Sequence, residues 1–192
     1  MILNLILVAF LGIGFNQSYA QGIVAFGPKE TRIEGSIPYS VIGKYQAHFK
    51  AFKGRIVWDD HFQQIQSVFL DIKAGSITSN CPWCDKIVKS RRLLNTLRYP
   101  DIIFKSNKII RDSRGYRVKG VLEMHGIKRD AVFPFHLEIS QKRRDSKRLI
   151  DLQGTWVINR KDYNIIWNSL LDHGGGLVGD ELTVNWGIKM LI

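Results

Sequence analysis

The chain has two cysteines, Cys81 and Cys84, and they lie close together in the segment Asn80-Cys81-Pro82-Trp83-Cys84. Two thiols at this spacing can bind a metal, form a structural disulfide or exchange disulfides with other proteins. A zinc site needs two further ligands, and the sequence has neither a second C-x-x-C nor a close pair of histidines. Zinc is therefore disfavoured, and the two disulfide chemistries remain as alternatives.

An exchange centre places its first cysteine at the start of a helix, where the helix dipole favours the thiolate. Asn80 can cap such a helix, Pro82 suits its first turn, and residues 85–94 can be helical. The strand-helix-strand pattern that surrounds the motif in thioredoxin-like proteins is missing. The sequence therefore favours a short disulfide that stiffens a loop over redox activity.

Other groups that could catalyse a reaction are sparse. The chain has no G-x-S-x-G elbow, no P-loop and no H-E-x-x-H motif. Asp59-Asp60-His61 could support acid–base or metal chemistry, but a turn after a strand also explains these residues, since Asp is favoured in turns. We therefore expect a protein that is not an enzyme and that uses no metal and no cofactor.

The first 20 residues carry no charge. Their apolar run from Ile2 to Phe15 is too short to span a bilayer, but it is typical of a signal peptide, as are the small residues Ser18 and Ala20. No Lys or Arg precedes the run, which departs from the usual pattern. The sequence predicts an exported protein, periplasmic or alternatively secreted, in which residues 21–192 form one domain.

The chain is strongly basic, with 28 Lys and Arg against 17 Asp and Glu and a net charge of +11. Such an excess suits nucleic acid or an anionic membrane surface. No nucleic-acid fold signature accompanies the basic residues, so nucleic acid is disfavoured. Arg143, Arg144, Lys147 and Arg148 belong to a basic run between two predicted strands, and they either contact a membrane or form a solvated loop.

Alternation of apolar and polar residues dominates the rest of the chain and predicts strands with one buried face. A polar turn at residues 112–115 and a turn at His125-Gly126 predict hairpins. Little helix is expected beyond residues 82–95. The pattern predicts an all-β antiparallel sandwich or barrel with a short helix. At least seven strands are expected, near residues 52–58, 66–73, 102–105, 116–123, 132–139, 151–158 and 182–188.

The faces that are predicted to point inward are rich in aromatic residues. These residues either fill an ordinary core or line a cavity, because an eight-stranded barrel of this size can hold a ligand. The candidate lining residues are Phe52, Trp58, Leu70, Ile72, Phe104, Tyr116, Leu122, Phe133, Phe135, Trp156 and Trp186.

Four segments resemble, in order and roughly in spacing, the YceI-like family of exported lipocalin-like proteins. Residues 118–129 are similar to the family's x-G-x-L-x-x-H-G-V-T-K turn, and residues 99–106 to its Y-P-x-I-x-F-x-S strand entry. Residues 67–80 resemble its S-V-x-x-x-I-x-x-x-S-I-x-T stretch. Residues 154–165 and 178–182 resemble its penultimate strand with an R-x-x-F-G-I turn and its V-G-D-E-V closing strand.

The resemblance covers about residues 40–192 and implies an extended, lipocalin-like, eight-stranded antiparallel β-barrel with an apolar cavity and a helix closing one side. It also implies a ligand, namely a polyisoprenoid such as a prenyl-quinone or a polyprenyl phosphate, or another long-chain lipid. We expect the protein to hold that ligand for transport or storage, and a homodimer stays among the expected assemblies. The alternative function is an exported thiol-disulfide redox protein that uses Cys81 and Cys84.

The chain departs from the family pattern where the family commonly has N-x-x-x-R-D-x-H-L-R-S. Here Cys84 and Lys89 replace arginines, and Ile87 replaces a histidine. If those family residues hold a ligand head group or anchor the loop helix, that role is altered in this chain. The preference of this chain for a head group is therefore left open. The C-x-x-C is the candidate that anchors the loop helix, by a covalent bond in place of the replaced residues.

Overall fold

The computed structural model describes residues 21–40, 43–59, 64–141, 148–168 and 177–191. Eleven strands and one α-helix lie within these residues, together with short 3-10 turns at Ala74–Ser76 and Arg160–Tyr163. The helix, α1, spans Pro82–Lys89. The strands are β1 (Gln21–Phe26), β2 (Thr31–Tyr39), β3 (Gly43–Phe49), β4 (Phe52–Asp59), β5 (Gln64–Lys73), β6 (Ile77–Thr78), β7 (Asp101–Asp112), β8 (Gly115–Met124), β9 (Ile127–Gln141), β10 (Arg148–Asn159) and β11 (Glu181–Leu191).

The strands form one antiparallel sheet in the order β1-β4-β5-β7-β8-β9-β10-β11-β2-β3-β6. Strand β3, near one end of this order, continues through Lys50 and Ala51 into β4, near the other end. Backbone pairing also continues across this bend, because Lys50 N donates to Ser76 O and Lys73 N donates to Ala51 O. The sheet therefore curls until both of its ends share the same stretch of chain.

The all-β class, the antiparallel pairing and the short helix are confirmed, but the expected count of eight strands is wrong. Within the described ranges, bends near residues 50 and 75 each divide one long strand in two, giving β3 with β4 and β5 with β6. Strand β1 is a further addition that pairs with β4 at the edge of the sheet. The closed part of the sheet still contains eight continuous stretches.

Both predicted hairpins are present. Strand β7 ends at Asp112 and β8 begins at Gly115, whose φ of 98° lies in the left-handed region that glycine tolerates. The turn between β8 and β9 consists of His125 and Gly126, with φ of 53° and 76°. Two successive positive φ angles match the right-handed twist of the flanking strands, which fixes the register of this hairpin.

The first residues of β5 face differently from the prediction. Gln66 is exposed although the alternation placed it beside Val68, and Ile65 is buried instead. An irregularity in the β4–β5 pairing between Val57 and Trp58 shifts the register there. A bulge of this kind reverses the facing of the residues beyond it.

Helix α1 is shorter than the predicted segment 82–95 and ends at Lys89. Its N-cap is Cys81 and not Asn80, since the Cys81 Sγ accepts a hydrogen bond from Cys84 N at 3.2 Å. After Lys89 the chain forms turns up to Arg98, in which Leu94 N donates to Val88 O. We call residues 81–99, which connect β6 to β7, the strap.

Candidate functional site: an apolar cavity beneath the strap

A cavity lies inside the curled sheet. Its wall is built by the inward residues of ten strands, all but β6, and the surface that these residues present is almost entirely apolar. Most of them are aliphatic or aromatic, and Thr31 is the one hydroxyl-bearing side chain among them. The lining includes Ile33, Ile56, Leu70, Phe104, Leu122, Leu152, Trp156 and Trp186.

A second cavity lies between the sheet and the strap. The strap contributes Cys84, Ile87, Val88, Leu93 and Leu94 to its wall. The two cavities adjoin, because they share five lining residues, namely Phe49, Ile102, Met124, Leu182 and Val184. The two cavities therefore lie next to each other, one inside the sheet and one beneath the strap.

Seven of the eleven predicted lining residues border the first cavity, and four do not. Phe52, Trp58 and Phe133 are buried but lie in the surrounding core, and Tyr116 packs against Phe135 with ring centroids 5.3 Å apart. The seven that border the cavity are Leu70, Ile72, Phe104, Leu122, Phe135, Trp156 and Trp186.

Aromatic rings form a continuous band beside the cavity. Phe133 stacks on Trp156 with centroids 4.0 Å apart, and Trp156 also contacts Phe104 and Trp186 at 5.8 and 5.4 Å. Trp186 lies over Gly154, where a Cβ would come within 2.6 Å of the indole nitrogen. Such a band gives the wall a fixed shape, since stacked rings lose little conformational freedom when they contact a ligand.

Arg160 borders the second cavity and is buried, being only 3% exposed. All of its guanidinium nitrogens donate hydrogen bonds within the protein, to Gly179 O, Ile165 O, Trp167 O and Val178 O and to the Asp180 carboxylate. These bonds tie the turn after β10 to the segment before β11. The guanidinium therefore holds two loops together and has no donor left for a ligand head group.

A buried polar cluster fixes the strap to strand β3. The Tyr45 hydroxyl donates to Asp85 Oδ1 at 2.8 Å, and the Ser79 hydroxyl and backbone N–H donate to the same carboxylate at 2.6 and 3.0 Å. Burial and the bond to Asp85 raise the pKa of the Tyr45 phenol, so it stays a donor. Burial opposes ionisation of Asp85, but the hydrogen bonds from Ser79 and Tyr45 outweigh it and lower the pKa of this carboxyl.

Asp85→Asn is expected to lower the free energy of unfolding at pH 7 by about 2 kcal/mol, the usual cost of losing hydrogen bonds to a buried charge. A carboxyl whose folded pKa lies below its unfolded value stabilises above the unfolded pKa of about 3.9, and this contribution is lost as the pH falls through the folded value. The difference between wild type and Asp85→Asn should therefore shrink as the pH falls below 4. Urea midpoints at pH 7 and in acid test this.

Asp130→Asn provides the matched control, because Asp130 is an exposed carboxylate on β9. Its urea midpoint should equal that of the wild type at both pH values. A difference between wild type and Asp85→Asn that is the same in acid as at pH 7 contradicts the role assigned to the carboxylate.

Cys81 and Cys84 form a disulfide with Cα atoms 5.2 Å apart. Cys84 is 7% exposed and faces the second cavity, so one sulfur of the pair belongs to the cavity wall. An exchange centre needs a sulfur that an attacking thiolate can reach, and the other sulfur, of Cys81 at the N-cap of α1, is only partly exposed. The geometry therefore favours a disulfide that fixes the first turn of the strap.

The disulfide is expected to stay oxidised in millimolar glutathione, because Cys84 is buried and Cys81 is only partly exposed. The double variant Cys81→Ser/Cys84→Ser should lose about 2 kcal/mol of stability, the value expected for a very short closed loop. Mass spectrometry after alkylation measures the redox state, and urea unfolding measures the stability. Rapid reduction by glutathione would instead support thiol-disulfide exchange.

The two family-like segments at residues 99–106 and 118–129 pack against each other at the end of the strap. Tyr99 and His125 have ring centroids 4.3 Å apart, and His125 Nδ1 lies 3.0 Å from Tyr163 O. A Cβ at Gly126 would come within 2.6 Å of the Tyr99 ring. The tight turn after β8 thus needs glycine both for its backbone angle and for this contact.

Other predicted features are placed only in part. Arg143, Arg144, Lys147, the segment 1–20 and the pair Asp60-His61 lie outside the described residues, and Arg148 begins strand β10. Asp59 is buried and accepts a hydrogen bond from Gln66 Nε2 at 2.9 Å.

In the parts of the chain that the structure covers, no three His, Cys, Asp or Glu residues are grouped to hold a metal. No helix in those parts has the length and hydropathy to cross a bilayer.

Sequence comparison relates most of the chain to one family. The model of the YceI-like domain matches residues 25–190. A UPF0312 protein of Pseudomonas putida is 28% identical over 120 residues, which cover 61% of this chain and 62% of that protein. A UPF0312 protein of Photorhabdus laumondii is 26% identical over 116 residues, or 60% of each chain. The match therefore spans less than two thirds of the length of these curated relatives.

Solved structures share the fold. BcnA of Burkholderia cenocepacia superposes with a TM-score of 0.67 at 18% identity, over 83% of this chain and 96% of that chain. A polyisoprenoid binding domain from Saccharophagus degradans superposes with a TM-score of 0.61 at 10% identity, over 88% and 98% of the two chains. At these identities the likeness concerns the fold.

Proposed function

Because the chain belongs to the YceI-like family, we propose that it is an exported binding protein that holds a long apolar ligand inside its curled sheet, without catalysis, for transport or storage. The observation that carries this proposal is the pair of adjoining cavities beneath the strap, whose walls are almost entirely apolar. Burial of hydrocarbon contributes about 25 cal/mol per Å², so a long chain in these cavities is strongly stabilised relative to water.

The arrangement and chemistry of the cavities support a polyisoprenoid or another long-chain lipid as ligand. Two adjoining cavities suit a chain better than a compact molecule, and the Saccharophagus degradans neighbour is named as a polyisoprenoid binding domain. Arg160 is the one charged residue in the wall of either cavity among the described residues, and its donors are already used. A buried phosphate would lack a partner, which costs several kcal/mol. The enclosed part is therefore hydrocarbon, and any charged head group stays at the surface.

Export belongs to the same proposal and is supported by the uncharged, apolar N-terminal segment. An oxidising compartment also agrees with the disulfide between Cys81 and Cys84. Determination of the mature N-terminus by mass spectrometry tests this part, with cleavage after residue 20 as the expected result.

Extraction of the purified native protein with organic solvent, followed by mass spectrometry, tests the binding proposal. A long-chain lipid should be recovered in near-stoichiometric amount. The double variant Leu122→Trp/Leu152→Trp, which fills the first cavity, should release little or none, because both side chains border that cavity. Recovery of no apolar molecule from wild type, together with no uptake of added prenyl-quinone, contradicts the proposed function.

A further inference from the structure

The strap exposes two large apolar side chains to solvent. Leu97 is 94% exposed and Trp83 is 64% exposed. Trp83 and Lys86 are three residues apart in α1 and share its outer face, whereas Ile87 and Val88 border the second cavity. Exposed Trp and Leu side chains are costly in water, but Trp is favoured at a boundary between water and lipid.

The strap is also strongly basic. The strap contains five cations, Lys86, Lys89, Arg91, Arg92 and Arg98, and a single acid, Asp85. Asp85 is buried and bound by Tyr45 and Ser79, so it does not neutralise these cations. Among the described residues, none of the five cations forms an ion pair.

Apolar and basic groups lie side by side in the second half of the strap. Arg91, Leu97 and Arg98 border one surface depression together with Asn95. The Arg92 guanidinium lies 5.7 Å from the centre of the Trp167 ring, which ties the strap to the turn after β10. A surface that alternates cations with a few protruding apolar side chains matches the headgroup region of an anionic bilayer.

We infer that the strap is the surface with which this protein docks on an anionic lipid membrane. Lys86, Arg91, Arg92 and Arg98 contact the lipid phosphates, while Trp83 and Leu97 insert among the headgroups. Because the inner side of the strap is a wall of the second cavity, docking brings that cavity against the membrane, where long apolar chains reside. The use of docking for ligand exchange rests on the proposed function, whereas the docking itself does not.

Co-sedimentation with lipid vesicles tests the inference, using protein purified as the expressing bacterium processes it and with its N-terminus verified. Binding to vesicles that contain phosphatidylglycerol should exceed binding to pure phosphatidylcholine vesicles and should fall steeply with added salt. Arg91→Gln/Arg98→Gln should weaken binding at low salt about thirty-fold, at roughly fivefold per cation. Trp83→Ser/Leu97→Ser should weaken the binding that remains at high salt.

Matched controls remove the same charge or the same apolar exposure elsewhere. Lys105→Gln/Lys108→Gln takes two exposed cations from β7, and Val157→Ser removes a side chain that is 59% exposed on β10. Neither variant should change vesicle binding more than about twofold, an effect expected of net charge alone.

The inference is overturned if wild type binds neither vesicle, or if the control variants lose as much binding as the strap variants. It is also overturned if Arg143→Gln/Arg144→Gln abolishes binding while the strap variants keep it, because the basic run would then be the docking surface. Vesicle binding is measured separately from lipid extraction. Failure of docking therefore differs from failure of the proposed function, in which no apolar molecule is recovered.

Discussion

Arg160→Met is expected to lower the free energy of unfolding by about 4 kcal/mol, because buried carbonyls lose their charged donor and receive no replacement. The guanidinium bonds the Ile165, Trp167, Val178 and Gly179 carbonyls. Among the described residues, Val178 O is the one of these carbonyls with another side-chain donor, Asn168 Nδ2. We call these guanidinium–carbonyl bonds the carbonyl clamp. Ile165 and Val178 border the second cavity, so loss of the clamp also loosens that wall of the cavity. The midpoint of urea unfolding measures the effect.

Lys161→Met is the matched control for this prediction. Lys161 Nζ binds the same Asp180 carboxylate at 2.7 Å, but its side chain is 52% exposed. Ion pairs at the surface contribute about 1 kcal/mol or less, so this variant should unfold close to wild type. Equal midpoints for the two variants would show that charge pairing, and not the carbonyl clamp, is what Arg160 supplies.

Val184→Trp is expected to weaken binding of a long prenyl-quinone about 100-fold or more, since excluding even four methylenes from the interior costs about 3 kcal/mol. Val184 borders both cavities at their junction, on β11 between Gly35 and Trp156. The larger ring blocks passage of a chain from one cavity to the other. Because space is available beside it, the stability cost should stay within about 1–3 kcal/mol.

Val157→Trp makes the same substitution on the other face of the sheet, at a side chain that is 59% exposed. It should bind the long prenyl-quinone as wild type does. A short-chain quinone that fits one cavity should still bind Val184→Trp. If both quinones bind Val184→Trp as tightly as wild type, the two cavities do not act as one site.

The sequence predicted the strands of the second half of the chain because their alternation is regular. Val118, Leu122 and Met124 of β8 are buried as their spacing requires, and so is Leu152 of β10. Strand β3 shows the same signal in Tyr45, Ala47 and Phe49, which alternate with polar residues, and could have been predicted too. Strand β1 lacks such alternation, and Pro38 obscures β2.

The polar groups that hold the site together left little trace in the sequence. Arg160 and Asp180 belong to the R-x-x-F-G-I and V-G-D-E-V segments that resemble the family. Arg160 bonds mainly to backbone carbonyls, however, which every residue has, so these motifs do not reveal what the guanidinium holds. Tyr45 and Asp85 are 40 residues apart and meet only because the strap folds back on β3. Phe133 and Trp58 were correctly expected to be buried, but which inward side chain borders empty space depends on how its neighbours stack.

The exposed side chains of the strap were also not apparent from the sequence. Trp83 and Leu97 look like core residues by type, and the helical period alone does not fix which side of a short helix is covered. Their exposure follows from the disulfide and the Asp85 cluster, which turn Cys84, Ile87 and Val88 toward the cavity.

Binding affinity measured against a series of prenyl-quinones that differ only in chain length is the most direct test of whether the two cavities bind one chain. Each added isoprene unit should increase affinity, because every enclosed methylene contributes about 0.8 kcal/mol or less, until the chain fills both cavities and affinity reaches a plateau. In Val184→Trp the plateau should come at a shorter chain. Affinity that does not change with chain length in wild type would contradict a continuous ligand-binding cavity.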